Sequence, residues 1–324
     1  MTTGCSIIRR QTYQGNLKYM QSKTGILQSN QVDSAPSDAP RCIACEGDLS
    51  FLGEHRQYTY TTCQSCRSVQ IAPIPEPDYV ETYYRDSKFS SDVHENTDPD
   101  AMRASSQPYY SAIERVLADY KIRGLVVDFG AGWGGLCEHL INRGYQCRGL
   151  ELSQLQVEEC RRRNLPVEQW SLGELAAKGI KAEALVLSGV FEHLSDPAAF
   201  LREADSLLEN GGLFVSLQPT APFAQLLAWS CRIGSKSKPL PALFGIFDAP
   251  WHIVLYSMQG MKLIAERHGF ELLEIRPAPQ GRVKGFYGVI QFLAGILNVA
   301  GWAGFRTSWP LLTSHTFVFR KRST

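Results

Sequence analysis

The sequence predicts an α/β protein, a mostly parallel sheet covered by helices on both faces, behind a small cysteine-paired module. Three observations carry this. Between Gly124 and Leu217, short apolar runs alternate with helical stretches. A glycine-rich turn follows the first of those runs, and two Cys-x-x-Cys pairs lie near the N-terminus. The 324 residues carry 33 Lys+Arg against 32 Asp+Glu, a net charge of +1, so no global field steers the chain onto nucleic acid or anionic lipid. A hydrophobic share of 44% with 20% charged residues excludes wholesale disorder, coiled coil and collagen.

The elements follow in chain order. Residues 1–40 are rich in Gln, Ser, Thr and Asn and end in Ser34-Ala-Pro-Ser-Asp-Ala-Pro40, so a disordered arm is expected. It has no apolar core of a secretory signal, although four basic residues before Asp33 admit a transit peptide. Residues 41–72 form the cysteine module and 73–108 a connector that opens on Pro73-Ile-Pro75-Glu-Pro77. A helical pattern runs from Tyr109 to Tyr120. Strands are then expected at Leu125–Val127, Gln146–Leu150, Val167–Gln169, Ala184–Ser188 and Leu213–Leu217. Helices are expected at Leu136–Arg143, Gln154–Arg163 and Ala198–Glu209.

Within the module, Cys42-Ile-Ala-Cys45 is followed after seventeen residues by Cys63-Gln-Ser-Cys66. Two such knuckles close a tetrahedral thiolate site for structural Zn2+, with Leu49–Thr62 as the hairpin between them. So small a module has too little core to fold unaided, and metal binding would supply the difference. Coincidental thiols or redox dithiols are the alternatives. Few basic residues accompany the knuckles, so nucleic acid is not expected as a partner. Cys5, Cys137, Cys147, Cys160 and Cys231 have no partner spacing and suit packing roles in a reducing, cytoplasmic setting.

Asp128-Phe-Gly130-Ala-Gly132-Trp-Gly134-Gly135 places a flexible turn directly after a buried strand, where backbone approaches a ligand. Glu151 closes the next strand, positioned to accept both hydroxyls of a ribose. Gly130, Gly132 and Gly135 also satisfy a dinucleotide spacing, so an NAD-dependent oxidoreductase is a rival reading. Asp128 separates the two: a fixed carboxylate opposes a pyrophosphate and favours an ammonium group, as S-adenosylmethionine (SAM) carries.

Residues 125–218 resemble a class I SAM-dependent methyltransferase, Rossmann-like with seven strands. Asp128–Gly134 is similar to that family's first motif, and Gly149-Leu-Glu151-Leu-Ser153 to its ribose-binding strand end. Val190-Phe-Glu192-His193-Leu-Ser-Asp196-Pro197 is similar to its post-strand-four motif, and Leu207–Val215 to the segment before strand five. Asn210 stands where the family often has Pro. The cysteine module with Tyr79–Tyr84 resembles a bacterial subgroup acting on small molecules, some of them sugars. The resemblance implies that Asp128, Gly130, Gly132 and Gly134 line the methionine end of SAM and Glu151 the ribose. It sets Ser171 and Leu172 near adenine, beside an unusual Trp170, and Val190 and Phe191 along the cofactor. It also implies strands at Glu271–Arg276 and Thr316–Arg320, the last antiparallel, within a domain spanning 109–324.

Methyl transfer to a small-molecule acceptor is therefore expected, a sugar, a lipid-linked compound or a natural-product intermediate. Residues 220–257 would form a substrate cap and 277–312 an apolar insertion. His193, at a strand's carboxyl end, and His252, in the aromatic cap loop, are the candidate bases for deprotonating the acceptor. Each could instead be a hydrogen-bonded structural histidine, and His315 is expected to be structural. Gly285–Phe305 reaches membrane-spanning length but contains Gln291, Asn298 and several glycines. Core packing, a peripheral membrane or lipid-substrate face, and a span are its three readings. A zinc-ribbon nucleic-acid- or protein-binding factor on a non-catalytic methyltransferase fold is the remaining functional alternative. The oligomeric state is not encoded in any of these patterns.

Overall fold

A computed structural model describes residues 40–55, 58–85, 98–232, 246, 247, 249, 251–280 and 286–323. The expected N-terminal arm, apart from Pro40, and residues 233–245 of the expected cap lie outside them.

The cysteine module forms a hairpin, β1 (Leu49–His55) with β2 (Tyr58–Cys63), followed by β3 (Val69–Ala72). All pair antiparallel, with Leu49 opposite Cys63 and Thr62 opposite Val69. Helix α1 (Pro77–Arg85) lies in the connector, and α2 (Pro99–Asp119) runs up to the main sheet. Helix α2 begins at Pro99 rather than Tyr109. Asp98 caps it by accepting from the Asp100 amide, proline suits the first turn, and Pro108 is accommodated inside.

The alternating segment then follows: β4 (Leu125–Phe129), α3 (Gly135–Ile141), β5 (Gln146–Leu150), α4 (Gln154–Arg162), β6 (Val167–Glu168), α5 (Leu172–Ala177), a helix the sequence pattern does not predict, and β7 (Ala182–Ser188). A 3₁₀ turn at Phe191–His193 leads into α6 (Pro197–Leu207), β8 (Leu208–Pro219) and α7 (Ala221–Arg232). Beyond it come β9 (Val254–Leu255), α8 (Met258–Arg267), β10 (Phe270–Pro277), α9 (Phe286–Phe305) and β11 (Ser314–Lys321).

The seven-stranded sheet has the order β10-β11-β8-β7-β4-β5-β6. The run from β8 to β6 is parallel, and β11 is antiparallel to both neighbours, β8 and β10. Its two faces bury separate apolar layers. Val127, Leu185, Leu187 and Phe214 face one, and Val126, Val186, Val215 and Val318 the other, as strand alternation requires. The carboxyl ends of β4, β5, β7 and β8 therefore share one edge.

A second sheet, β1-β2-β3-β9, takes its last strand from the cap, Val69 pairing with Leu255 and Gln70 with Val254. The cysteine module is thus continuous with a loop of the expected substrate cap. Its core is also continuous with one face of the main sheet. Among the described residues, no helix is long and apolar enough to cross a membrane. Helix α9 buries Asn298, which accepts from the Trp309 indole at 2.9 Å, and exposes Leu293, Ile296, Leu297, Val299 and Phe305.

Candidate active site

The cofactor side grows from the turn after β4. Gly130, Gly132 and Gly134 all have positive φ, which an L side chain adopts at a cost. At Gly130 a Cβ would also come within 2.5 Å of a Val190 methyl, so the two turns, after β4 and after β7, are packed backbone to side chain. The Gly130 and Ala131 amides donate to the Leu150 carbonyl at 2.8 and 3.0 Å, tying the turn to the end of β5. Just past that carbonyl, the Glu151 carboxylate accepts from Gly132 N and Ser153 N, each at 2.9 Å. These bonds fix its direction, while burial pushes its pKa up.

Asp128, Gly130 and Gly132 line a cavity of about 370 Å³, closed by Arg103 and Tyr110 of α2 and by Gln218 near the end of β8. The Asp128 carboxyl is fully buried, and desolvation raises its pKa to about 7, with the Glu151 charge adding to the rise and the Cys137 thiol opposing it. An ammonium group entering this cavity would reverse that cost. Arg103 is the residue the sequence did not disclose. It is 5% exposed and donates to the Trp133 carbonyl at 2.9 Å, with Asp100 at 3.2 Å and Glu159 at 4.0 Å. Its one local signal is the Asp100–Arg103 spacing within α2. Tyr110 crosses Gly135 so closely that a Cβ there would sit 2.2 Å from the phenol oxygen.

The remaining expected cofactor residues sit differently. Ser171 caps α5, accepting from Glu174 N at 3.1 Å while Glu174 accepts from Ser171 N at 2.7 Å. Leu172 is fully buried in the core, and the Phe191 ring packs among Phe200, Phe214 and Tyr256. Val190 alone of the pair after β7 reaches the glycine turn.

The side on which an acceptor is expected is built around the two histidines, which the fold brings together with ring centroids 5.1 Å apart. His193 Nδ1 donates to the Trp251 carbonyl at 2.7 Å and His252 Nδ1 to the Ile246 carbonyl at 3.0 Å. In each neutral ring the lone pair then falls on Nε2. Desolvation, reinforced by His252 and opposed by the Trp251 bond, lowers the His193 pKa to about 3. Glu192 Oε1 lies 3.8 Å from His193 Nε2, and burial raises this carboxyl to about 8. From α1, Tyr84 meets His193 edge-on at 6.3 Å and Tyr83 packs on Trp251 at 4.1 Å. Glu192 also borders Gly189 of the cofactor cavity, so the two sides adjoin. His315 instead lies buried in β11, 2.8 Å from the Thr220 hydroxyl.

The four cysteines form one cluster, with ligand atoms all within 4.8 Å of one another. Cys42 and Cys66 sulfurs are 3.6 Å apart, and those of Cys45 and Cys63 3.4 Å. Four thiolates at ~2.3 Å from one ion would be separated by roughly 3.8 Å, so the set fits zinc. Both knuckles use the same turn: Glu46 N donates to Cys42 O at 2.7 Å and Arg67 N to Cys63 O at 3.1 Å, with Glu46 and Arg67 at positive φ. Crowding and burial push the Cys42 and Cys45 thiols up, so full ionisation calls for a central cation. The ribbon reaches the acceptor side through several bonds. Ser257, the cap of α8, donates to the Cys66 carbonyl and Ser257 N to Ser68 Oγ. Ile253 donates to Glu192 O at 2.9 Å and accepts from Ile71 N at 3.0 Å.

Comparison with known proteins identifies the family. The ubiquinone biosynthesis O-methyltransferase of Leptothrix cholodnii is 28% identical over 156 residues, covering 44% of this chain. The match spans 66% of that relative, just under two thirds of its length. The structure of Burkholderia thailandensis 1,6-didemethyltoxoflavin-N1-methyltransferase, with bound 1,6-didemethyltoxoflavin and S-adenosylhomocysteine, aligns at a TM-score of 0.49 and 14% identity, covering 86% of this chain and 100% of that one. Magnesium protoporphyrin IX methyltransferase from Synechocystis PCC 6803 aligns at 0.46 and 18%, covering 76% and 99%. A family model described as a methyltransferase domain matches residues 102–275, more than half of the chain. With that match and its parallel sheet closed by an antiparallel strand, the chain belongs to the methyltransferase-domain family, in the class I, SAM-dependent fold.

Proposed function

We propose that this chain transfers a methyl group from SAM to a small-molecule acceptor, a sugar, lipid-linked or natural-product intermediate. The observation that carries the reading is the adjacency of two unlike sites at one sheet edge. A cavity with a buried carboxyl and left-handed glycines adjoins a cluster of two histidines and a glutamate.

Asp128 and the 130–134 turn would hold the amino-acid tail of SAM and Glu151 its ribose. Val190 would pack along the cofactor with the backbone at Phe191, and Ser171 and Leu172 would place the backbone near adenine. Bound there, SAM supplies an electrophilic methyl on a sulfonium. The chain's own task is to align the acceptor and exclude water. Tyr84, Trp251 and the histidine rings frame the acceptor's approach. The Glu192–His193–His252 cluster is the group that ionises an acceptor hydroxyl, and in the metal-free protein the proton passes to an imidazole Nε2.

Cys42, Cys45, Cys63 and Cys66 would hold structural zinc, leaving no open position for chemistry. Cytoplasmic residence is in keeping with the free thiols among the described cysteines. The exposed apolar side chains of α9 suit a lipid-linked acceptor or a membrane surface.

The test is calorimetry with SAM, S-adenosylhomocysteine and NAD. Micromolar binding of the first two and none of the third is expected. Glu151→Ala should weaken both adenosyl ligands by about 1.5–3 kcal/mol for each charged hydrogen bond lost. No SAM binding would point to a non-catalytic fold, and unchanged affinity in the variant would remove Glu151 from the ribose site.

A further inference from the structure

We infer that Glu192, His193 and His252 form a binding site for a divalent first-row transition-metal cation, separate from the four-cysteine cluster. One donor atom from each of the three residues lies within 4.8 Å of the other two. The set is two imidazoles and one carboxylate, which suits borderline cations such as Zn2+, Co2+, Fe2+ or Mn2+ better than thiophilic ones.

The hydrogen bonds behind the two imidazoles support the assignment. Each imidazole donates Nδ1–H to a main-chain carbonyl, His193 to Trp251 at 2.7 Å and His252 to Ile246 at 3.0 Å. That bond fixes the tautomer in which Nε2 is the ligand, the arrangement that orients metal-binding histidines and raises their basicity. The carboxylate supplies the charge. Glu192 is 1% exposed, and its Oε2 is buried with no hydrogen-bond partner among the described residues. Glu192 sets one carboxyl oxygen, Oε1, 3.8 Å from the His193 Nε2 lone pair and keeps the other buried without a partner, and a cation between the carboxylate and the imidazoles compensates these electron-rich atoms together.

The spacing needs only a small adjustment. Glu192 Oε1 and His193 Nε2 are 3.8 Å apart, against roughly 3.4 Å between ligands of one tetrahedral ion at ~2.1 Å. The His193 side chain is 20% exposed, so the ion has a route in from the acceptor side. Three protein ligands leave a coordination position open, in contrast to the closed four-thiolate set. An acceptor hydroxyl or enol entering that position would have its pKa lowered by coordination and release its proton to solvent water rather than to imidazole, and a carboxylate acceptor would bind there as the anion it already is. The ligands come from two separated segments: Glu192 and His193 from the turn after β7, and His252 from the loop before β9. Ile253, next to His252, is bonded to the Glu192 carbonyl, which holds the two segments in register.

The experiment needs neither an acceptor nor methyl transfer, so it is decided independently of the proposed activity. Protein carrying zinc in the four-cysteine cluster is titrated with Co2+ and followed by visible absorption and metal analysis. One further equivalent should bind, giving weak d–d bands without the strong thiolate-to-cobalt charge transfer of the cysteine cluster. Glu192→Gln and His252→Asn should each weaken this equivalent by about 100-fold. Both should retain the cysteine-bound zinc and S-adenosylhomocysteine binding, which shows that they are folded. A wild-type protein that binds no second equivalent overturns the site. So does a second equivalent with undiminished affinity in both variants.

Discussion

The proposed cofactor half and the proposed acceptor half of this molecule meet at one sheet edge but are built in opposite ways. The cofactor half takes Asp128, its glycine turn and Gln218 from consecutive strand–turn–helix units between Leu125 and Pro219, with α2 closing the cavity through Arg103 and Tyr110. The acceptor half gathers the ribbon strands, α1, the turn at Phe191–His193 and the segment around His252 into one place. The lesson is mechanical. The first half is held by its own local hydrogen bonds, such as Gly130 N to Leu150 O, whereas the second depends on long-range bonds into the cysteine ribbon. Damage to the ribbon should therefore reach the acceptor before it reaches the cofactor.

The largest expected effect lies at the histidines. With an acceptor in hand, His252→Gln should lower turnover by roughly 10²–10⁴-fold, and His193→Gln by a comparable or smaller factor. SAM affinity should change little in either, because neither ring lines the cofactor cavity. Near wild-type turnover in both variants across the pH range would mean that the enzyme works by alignment alone.

Next comes the ribbon. Cys45→Ser or Cys63→Ser should lose the bound zinc by metal analysis and loosen residues 41–72 by hydrogen exchange. Through Ser257 and Ile253 this should displace the acceptor side, where a shift of ~1 Å costs turnover about 10²-fold. SAM should still bind. Equal loss of SAM affinity would show that the halves are not separable in this way.

The smallest effect is one of pH. The Asp128 carboxyl is raised to about 7 in the ligand-free protein, above its unfolded value. Between the two values the folded state holds a proton that the unfolded chain has released. Stability from this group therefore falls as pH rises through about 7, where the buried carboxylate must ionise. An ammonium ligand favours the ionised form, so SAM affinity should rise with pH, by up to about tenfold per unit below 7, and then level off. Asp128→Asn should flatten that profile in calorimetry. A pH-independent wild-type affinity would place the ammonium elsewhere.

The sheet, the glycine turn, Glu151 and the two cysteine knuckles were legible in the order of the residues alone. Each of these is written in a short contiguous pattern: a buried run, a positive-φ glycine, or a fixed ligand spacing. The sequence also singled out His193 and His252, but from separate contexts that did not show them to be neighbours. It took the folded chain to show that β9 extends the ribbon sheet, that Arg103 is buried over the glycine turn, and that Glu192 joins the two histidines. Those outcomes depend on which distant segments share a face. Residues such as Glu192 and His252 are sixty positions apart in the chain, and nothing in either local pattern records the partner. The same reason explains Pro108, which local propensity reads as a helix breaker and which packing carries inside α2.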